Sequence, residues 1–189
     1  MDEDNYLGFR YSYSLNGNYD GWVEFGNRYA IHKLIGIYGF KKSDDFEWGL
    51  GLIFSKSFRR TNALPFLLYN RNFSDKWGIE SVFPANVFLR YNIDPSSICA
   101  IGLEYGSQSF RLSVEDTIPQ DYAFNHSELS LVWSLERHLT SWIWANIKLG
   151  YQRNFSSDFE ARSAATIPFF AAPNDGFFIN FGLFLSPDL

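Results

Sequence analysis

Apolar and polar residues alternate along this chain almost from end to end. In Ile143-Trp144-Ala145-Asn146-Ile147-Lys148-Leu149-Gly150-Tyr151-Gln152, one set of positions reads Ile, Ala, Ile, Leu, Tyr and the other Trp, Asn, Lys, Gly, Gln. Successive side chains on a strand point to opposite faces, so this segment is a strand with one apolar and one polar face. The pattern returns at 7–15, 46–54, 77–93, 99–105, 129–135 and 177–185. Segments of about ten residues with this alternation are the signature of a transmembrane β-barrel. Nine strands are predicted, at 5–15, 22–40, 46–57, 64–71, 77–92, 98–113, 126–137, 142–155 and 176–185.

Short connections carry turn chemistry. Lys41-Lys42-Ser43-Asp44-Asp45 and Arg137-His138-Leu139-Thr140-Ser141 are two of them. Asp94-Pro95-Ser96-Ser97 suits a type I turn, with Asp first and Pro second. Longer connections are expected at 16–21, 58–63, 114–125 and 156–175, the last rich in Ala and Pro. Short turns at one rim and long loops at the other is the outer-membrane arrangement. Trp77–Ile93 keeps one parity for longer than a membrane crossing of about 9–11 residues, so it is expected to project or bend, with Pro84 as the site of a bulge or break. Nine is odd, whereas bacterial barrels have even strand numbers. Either 64–71 fuses with a neighbour or a strand lies upstream.

Two architectures give alternating strands. A lipocalin-like barrel is apolar inside, and a membrane barrel is apolar outside. The polar positions here include Gly8, Gly49, Gly51, Gly78, Gly102, Gly106, Gly150 and Gly182, with sparse charges of both signs. A solvated strand surface prefers long charged side chains, because Gly weakens a strand. A narrow lumen instead uses Gly to make room for large neighbours. Trp48, Trp77, Tyr91, Tyr105 and Tyr151 lie near strand ends on the apolar parity, as interfacial belts require. The lumen is then expected to hold Arg10, Arg90 and Lys148 with Glu47, Glu80, Glu104, Glu128 and Glu136 in a mixed-sign network. Buried charges persist only when paired and hydrogen-bonded.

Composition adds to this picture. Aromatic residues make up 20% of the 189 residues, with 20 Phe, 11 Tyr and 6 Trp. The net charge is -5 and there is no basic cluster, which argues against a nucleic-acid partner. Cys99 is the single cysteine, so no intrachain disulfide can form. No apolar run reaches about 18 residues, so a helical span is excluded. The start Met1-Asp2-Glu3-Asp4 is no signal peptide. The chain is therefore expected either to begin after a cleaved leader, with an added Met, or to be truncated at its N-terminus.

Candidate chemistry centres on His126, Glu128 and Ser130, which share one face of one strand at i, i+2 and i+4. A His beside a carboxylate can act as a base and a Ser as a nucleophile. Their direction, toward the lumen, and their linear spread weigh against catalysis. Lipid A deacylase barrels use a His-x-Ser signature that His126-Ser127-Glu128 does not match. His32 and His138 have no metal-ligand spacing with Cys99, and no phosphate loop or dinucleotide fingerprint occurs, so no metal or cofactor is expected.

Leu64-Pro65-Phe66-Leu67-Leu68-Tyr69-Asn70-Arg71-Asn72, Lys76-Trp77-Gly78-Ile79-Glu80, Phe83-Pro84-Ala85, Leu89-Arg90-Tyr91-Asn92 and the closing Gly176–Leu183 resemble an uncharacterised, domain-of-unknown-function family of bacterial outer-membrane β-barrels of Bacteroidetes type. The resemblance implies an outer-membrane barrel with no established activity, inserted by the barrel-assembly machinery. The ending Leu185-Ser186-Pro187-Asp188-Leu189 departs from the terminal aromatic residue many barrels carry.

The expected fold is thus a single domain over 1–189, an antiparallel up-and-down transmembrane β-barrel of about eight to ten strands in contact with outer-membrane lipid. The expected role is non-enzymatic: structure, adhesion through loops, or limited passage of small solutes. Two other readings stay open, a membrane-embedded lipid hydrolase using His126 and Ser130, and a soluble lipocalin-like binder of apolar ligands.

Overall fold

The computed structural model describes residues 4–18, 29–57, 61–114, 120–140, 142–161 and 174–185. Its ten strands are β1 (Asn5–Leu15), β2 (Ala30–Ser43), β3 (Phe46–Lys56), β4 (Thr61–Asn72), β5 (Trp77–Phe83), β6 (Asn86–Asp94), β7 (Ser97–Val114), β8 (Gln120–Thr140), β9 (Ile143–Ala161) and β10 (Gly176–Leu185). They form one antiparallel sheet in sequence order, each strand paired only with its neighbours in the chain. No helix occurs among the described residues.

The count of ten corrects the expected nine. Trp77–Ile93 does not cross as one strand. It folds back at Pro84-Ala85, so that Val82 pairs with Asn86 and Trp77 with Tyr91. The physical cause is local. Pro84 cannot donate to a ladder, and the turn is held by Ala85 N–H donating to Val82 O (2.7 Å) and Val82 N–H donating to Asn86 Oδ1 (3.0 Å). Parity survives because three residues, Phe83, Pro84 and Ala85, lie between the paired Val82 and Asn86, and an odd number keeps odd positions of both strands on the same face. The segment 64–71 stands alone as the core of β4. The first half of the strand expected at 22–40, most of the loop at 156–175 and the last four residues lie largely outside the described residues.

The short turns use the chemistry their sequences announce. Ser96 N–H donates to Asp94 Oδ1 (2.7 Å) at the β6–β7 turn, and Asp45 N–H to Ser43 Oγ (3.2 Å) at the β2–β3 turn. Between β4 and β5, Ser74 Oγ accepts from the amides of Lys76 and Trp77.

Register separates the two faces across the whole sheet. One row of directly opposed residues reads Phe40, Trp48, Tyr69, Ser81, Val87, Leu103, Leu131, Tyr151, Phe177 from β2 to β10. On the opposite face a row reads Glu47, Asn70, Glu80, Phe88, Gly102, Val132, Gly150, Phe178 from β3 to β10. The first face is apolar and open: Phe177 is 90% exposed, Leu183 74% and Phe9 72%. The second is close-packed, and Val132 is completely buried.

The sheet curls toward its polar face. There, side chains two strands apart touch over the strand between them, as Tyr6 of β1 and Glu47 of β3 do. The chain leaving β1 reaches β7 within three residues: Arg111 N–H donates to Asn16 O (3.0 Å) and Asn18 N–H to Arg111 O (3.3 Å). Along a flat sheet β1 and β7 would stand six strand steps, about 29 Å, apart. Closure, however, is not complete. No ladder joins β1 to β10, so both remain edges with one row of unpaired backbone groups.

Curling depends on glycine at points of close approach. A Cβ on Gly39 would overlap the Tyr6 ring, and one on Gly102 would overlap the Val87 carbonyl oxygen and come within 2.8 Å of Phe88 Cα. The second obstacle is backbone and cannot swing away. Gly102→Ala is therefore expected to destabilise the sheet by about 1–3 kcal/mol, the usual cost of overpacking, read as a lower denaturant midpoint in detergent. An unchanged midpoint would show that Phe88 and its backbone have room to yield.

Candidate functional site

The polar face gathers its charges into short-range clusters. Tyr6 of β1 reaches across Gly39 to donate to Glu47 Oε1 (2.5 Å), whose other oxygen accepts from Asn70 Nδ2 (3.0 Å). Arg90 of β6 pairs with Glu80 of β5 (2.8 Å) and donates to Asn72 Oδ1 of β4 (2.5 Å), across Gly78. Lys148 of β9, opposite Ser134, pairs with Glu104 of β7, opposite Ser130, across β8 (2.6 Å). The same ammonium lies 5.9 Å from the Phe88 ring centroid, a cation–π contact. Glu136 accepts from Asn146 Nδ2 (3.0 Å). Arg10, on the same face of edge strand β1, is exposed and has no ion pair among the described residues. A polar cavity of about 350 Å³ opens beside the β2–β3 turn, lined by Lys41, Asp45, Glu47, Asn72, Glu80 and Arg90.

A second cluster is built around His126. Its Nε2 is 3.2 Å from Glu128 Oε2 on the same strand, and its Nδ1 is 3.0 Å from Ser157 Oγ on β9. The Ser157 hydroxyl also lies 3.0 Å from Asn154 Oδ1. The His126 and Glu128 side chains are 13% and 25% exposed. Glu128 fits because position 106, directly opposite, is glycine, where a Cβ would stand 3.1 Å from the Glu128 side chain. Phe124 stacks on His126 (centroids 6.0 Å, 17°) and Phe110 on Phe124 (6.1 Å, 23°), which makes an aromatic run across β7 and β8 beside the cluster.

Ser130 does not join this cluster. It is buried, opposite Glu104 and Gln152, and the two ring nitrogens of His126 are occupied by Ser157 and Glu128. Sequence parity hides Ser157, because odd positions of β9 such as Leu149 and Tyr151 belong to the apolar face. A β-bulge intervenes: Glu128 pairs with Asn154 but Ser127 pairs with Ser156, leaving Phe155 as the extra residue. A one-residue bulge exchanges the faces beyond it. Phe155 stays on the apolar side, 72% exposed against Tyr105, while Ser157 turns to the polar side opposite His126.

The other titratable candidates are elsewhere. His32 binds Tyr11 Oη (2.8 Å) and packs edge-on against Tyr13, on the apolar face. His138 stacks on Trp144 (4.7 Å). Cys99 is a free, half-buried thiol opposite Tyr91 and Leu135. Among the described residues no three His, Cys, Asp or Glu side chains converge as a metal site. The chain matches no protein-family model, no curated protein and no solved structure.

Arg90 joins two strands on the polar face through Glu80 and Asn72, with a side chain only 22% exposed. Arg90→Leu leaves Glu80 and Asn72 without their donor, and a lost hydrogen bond to a charged group costs about 1.5–3 kcal/mol. A drop of that size in unfolding free energy is the expected result. Stability equal to that of the parent chain would mean that the charges of this face only fill space.

Proposed function

We propose that the curled sheet closes edge to edge as a β-barrel of the bacterial outer membrane, and that it serves there as a small structural barrel with limited passage of small solutes past a mixed-charge lumen. The observation that carries this reading is the open apolar face. A soluble monomer seldom exposes a contiguous apolar patch beyond a few hundred Å². Here a row of Leu, Phe, Tyr, Trp and Val residues runs unbroken, apart from Ser81, from β2 to β10. Hydrocarbon is the solvent that such a face suits. The reverse, lipocalin-like arrangement needs its apolar face on the inside, and here that side holds the ion pairs.

Aromatic pairs at the ends of the apolar stretch support the same reading. Phe40 stacks on Trp48 (4.4 Å) and Trp77 packs on Tyr91 (4.7 Å) near the short-turn rim, and Tyr105 meets Phe155 (6.4 Å) toward the other. Such girdles mark the two membrane interfaces of outer-membrane barrels. An even strand count puts both ends of the sheet at the short-turn rim. Edge strands β1 and β10, of 11 and 10 residues, run antiparallel and are free to pair. Pairing would satisfy the last two rows of backbone groups, which lipid cannot do. The sequence resemblance to outer-membrane barrels, with insertion by the assembly machinery, points the same way. About ten strands leave a lumen that side chains largely fill, so passage is restricted to small solutes.

Refolding into detergent micelles tests closure. A closed barrel resists SDS, so the unboiled chain is expected to migrate faster than the boiled one on a gel. No shift, together with solubility in plain buffer, would refute the membrane barrel.

A further inference from the structure

The cluster at the β8–β9 bulge has more order than the packing of a polar face demands. Three side chains from two strands are set in series: a carboxylate on one nitrogen of an imidazole and a primary hydroxyl on the other. We propose that Ser157, His126 and Glu128 form a serine-esterase site that hydrolyses carboxylic esters of fatty acyl chains.

The chemistry follows from the hydrogen bonds. Glu128 lies 3.2 Å from Nε2 and Ser157 Oγ 3.0 Å from Nδ1, so the tautomer that carries its proton on Nε2 donates to Glu128 and turns the Nδ1 lone pair toward Ser157. Carboxylate, imidazole and hydroxyl stand in series as in the serine triads of unrelated folds, with the two ring nitrogens exchanged: there the carboxylate holds Nδ1–H and Nε2 is the base, here Glu128 is on Nε2 and Nδ1 faces the serine. The Ser157 proton has two acceptors, Asn154 Oδ1 and Nδ1. When it goes to Nδ1, Oγ attacks the ester carbonyl carbon, the carbonyl π pair moves to oxygen, and the imidazolium is stabilised by Glu128. Collapse breaks the bond to the leaving alkoxide, which takes the proton from Nδ1. Water then attacks the acyl-serine with Nδ1 as base, and releases the carboxylic acid and the free hydroxyl.

Two features argue for a site and against simple packing. The bulge turns Ser157 out of the apolar face into register with His126; bulges of this kind occur at sheet edges, at barrel rims and beside active sites, where they re-aim a side chain. The stacked rings of Phe110 and Phe124 continue from His126 along the same face and supply an apolar bed for an acyl chain. On the other side of the sheet, Tyr105 and Phe155 stand at the same level. If the apolar face is lipid-facing, as proposed above, the cluster opens to the lumen at the level of that membrane interface, and its ester reaches it from the lumen side.

The test uses the whole chain in detergent, with circular dichroism confirming β structure in every variant. It combines labelling by a fluorophosphonate, which phosphonylates activated serines, with hydrolysis of p-nitrophenyl butyrate and p-nitrophenyl laurate. Labelling mapped to Ser157, with laurate turnover at least 100-fold above Ser157→Ala and His126→Ala and unaffected in Ser130→Ala, is the expected result. Higher activity on laurate than on butyrate is expected from the aromatic bed. No labelling of the β-structured chain, or labelling equally strong in His126→Ala, overturns the proposal, as does a label on another serine. Esterase activity without a heat-modifiable gel shift would keep this site and remove the closed barrel; the opposite pair of results would do the reverse.

Discussion

Everything in this molecule depends on keeping two incompatible surfaces on opposite sides of one sheet. The strand has a side-chain period of two, so a slip of a single residue would move apolar residues into the polar cluster and charges outward. Ten strands hold that separation through nine hairpin pairings. One row that results is apolar but for Ser81: Trp48, Tyr69, Ser81, Val87, Leu103, Leu131, Tyr151 and Phe177; the other mixes charged and polar residues and glycine with inward-packed apolar ones: Glu47, Asn70, Glu80, Phe88, Gly102, Val132, Gly150 and Phe178.

The polar side is where the sheet is tightened. Large side chains pass over glycine to meet partners two strands away, as Tyr6 does over Gly39 and Arg90 over Gly78. Each such reach joins strands that the backbone ladder does not join, and so favours curvature. The same reach pairs charges that would be costly alone in a crowded interior. Packing and electrostatics therefore act together, because the glycines that permit the curl also leave room for the ion pairs. Where the regular ladder breaks, at Phe155, the face exchanges one residue and the His126 cluster acquires its hydroxyl.

Much of this is legible in the sequence, and the exceptions have clear causes. Alternation locates the strands and the parity of their faces, and it places Glu80, Arg90, Glu104 and Lys148 on one side. It does not reveal that Trp77–Ile93 is a hairpin, since the three residues between the paired Val82 and Asn86 leave the parity undisturbed. Pro84 signals the break, but a bend and a reversal look alike in a pattern of period two. Ser157 is harder still. Phe155 and Ser157 share sequence parity, yet the bulge puts Ser157 opposite His126 and leaves Phe155 against Tyr105. Pairings across two strands, such as Tyr6 with Glu47, depend on curvature and shear, which no local pattern encodes.

The central claim is that the odd positions of β8 face hydrocarbon and the even ones face the interior. Spin labels placed one at a time from Leu129 to Leu135, in a Cys99→Ala background and in lipid bilayers, test it by their relative collision with oxygen and with a water-soluble nickel chelate. The account predicts a period of two, with oxygen collisions highest at 129, 131, 133 and 135 and low at 130, 132 and 134. Chelate collisions highest at the odd positions, or no alternation at all, would contradict it.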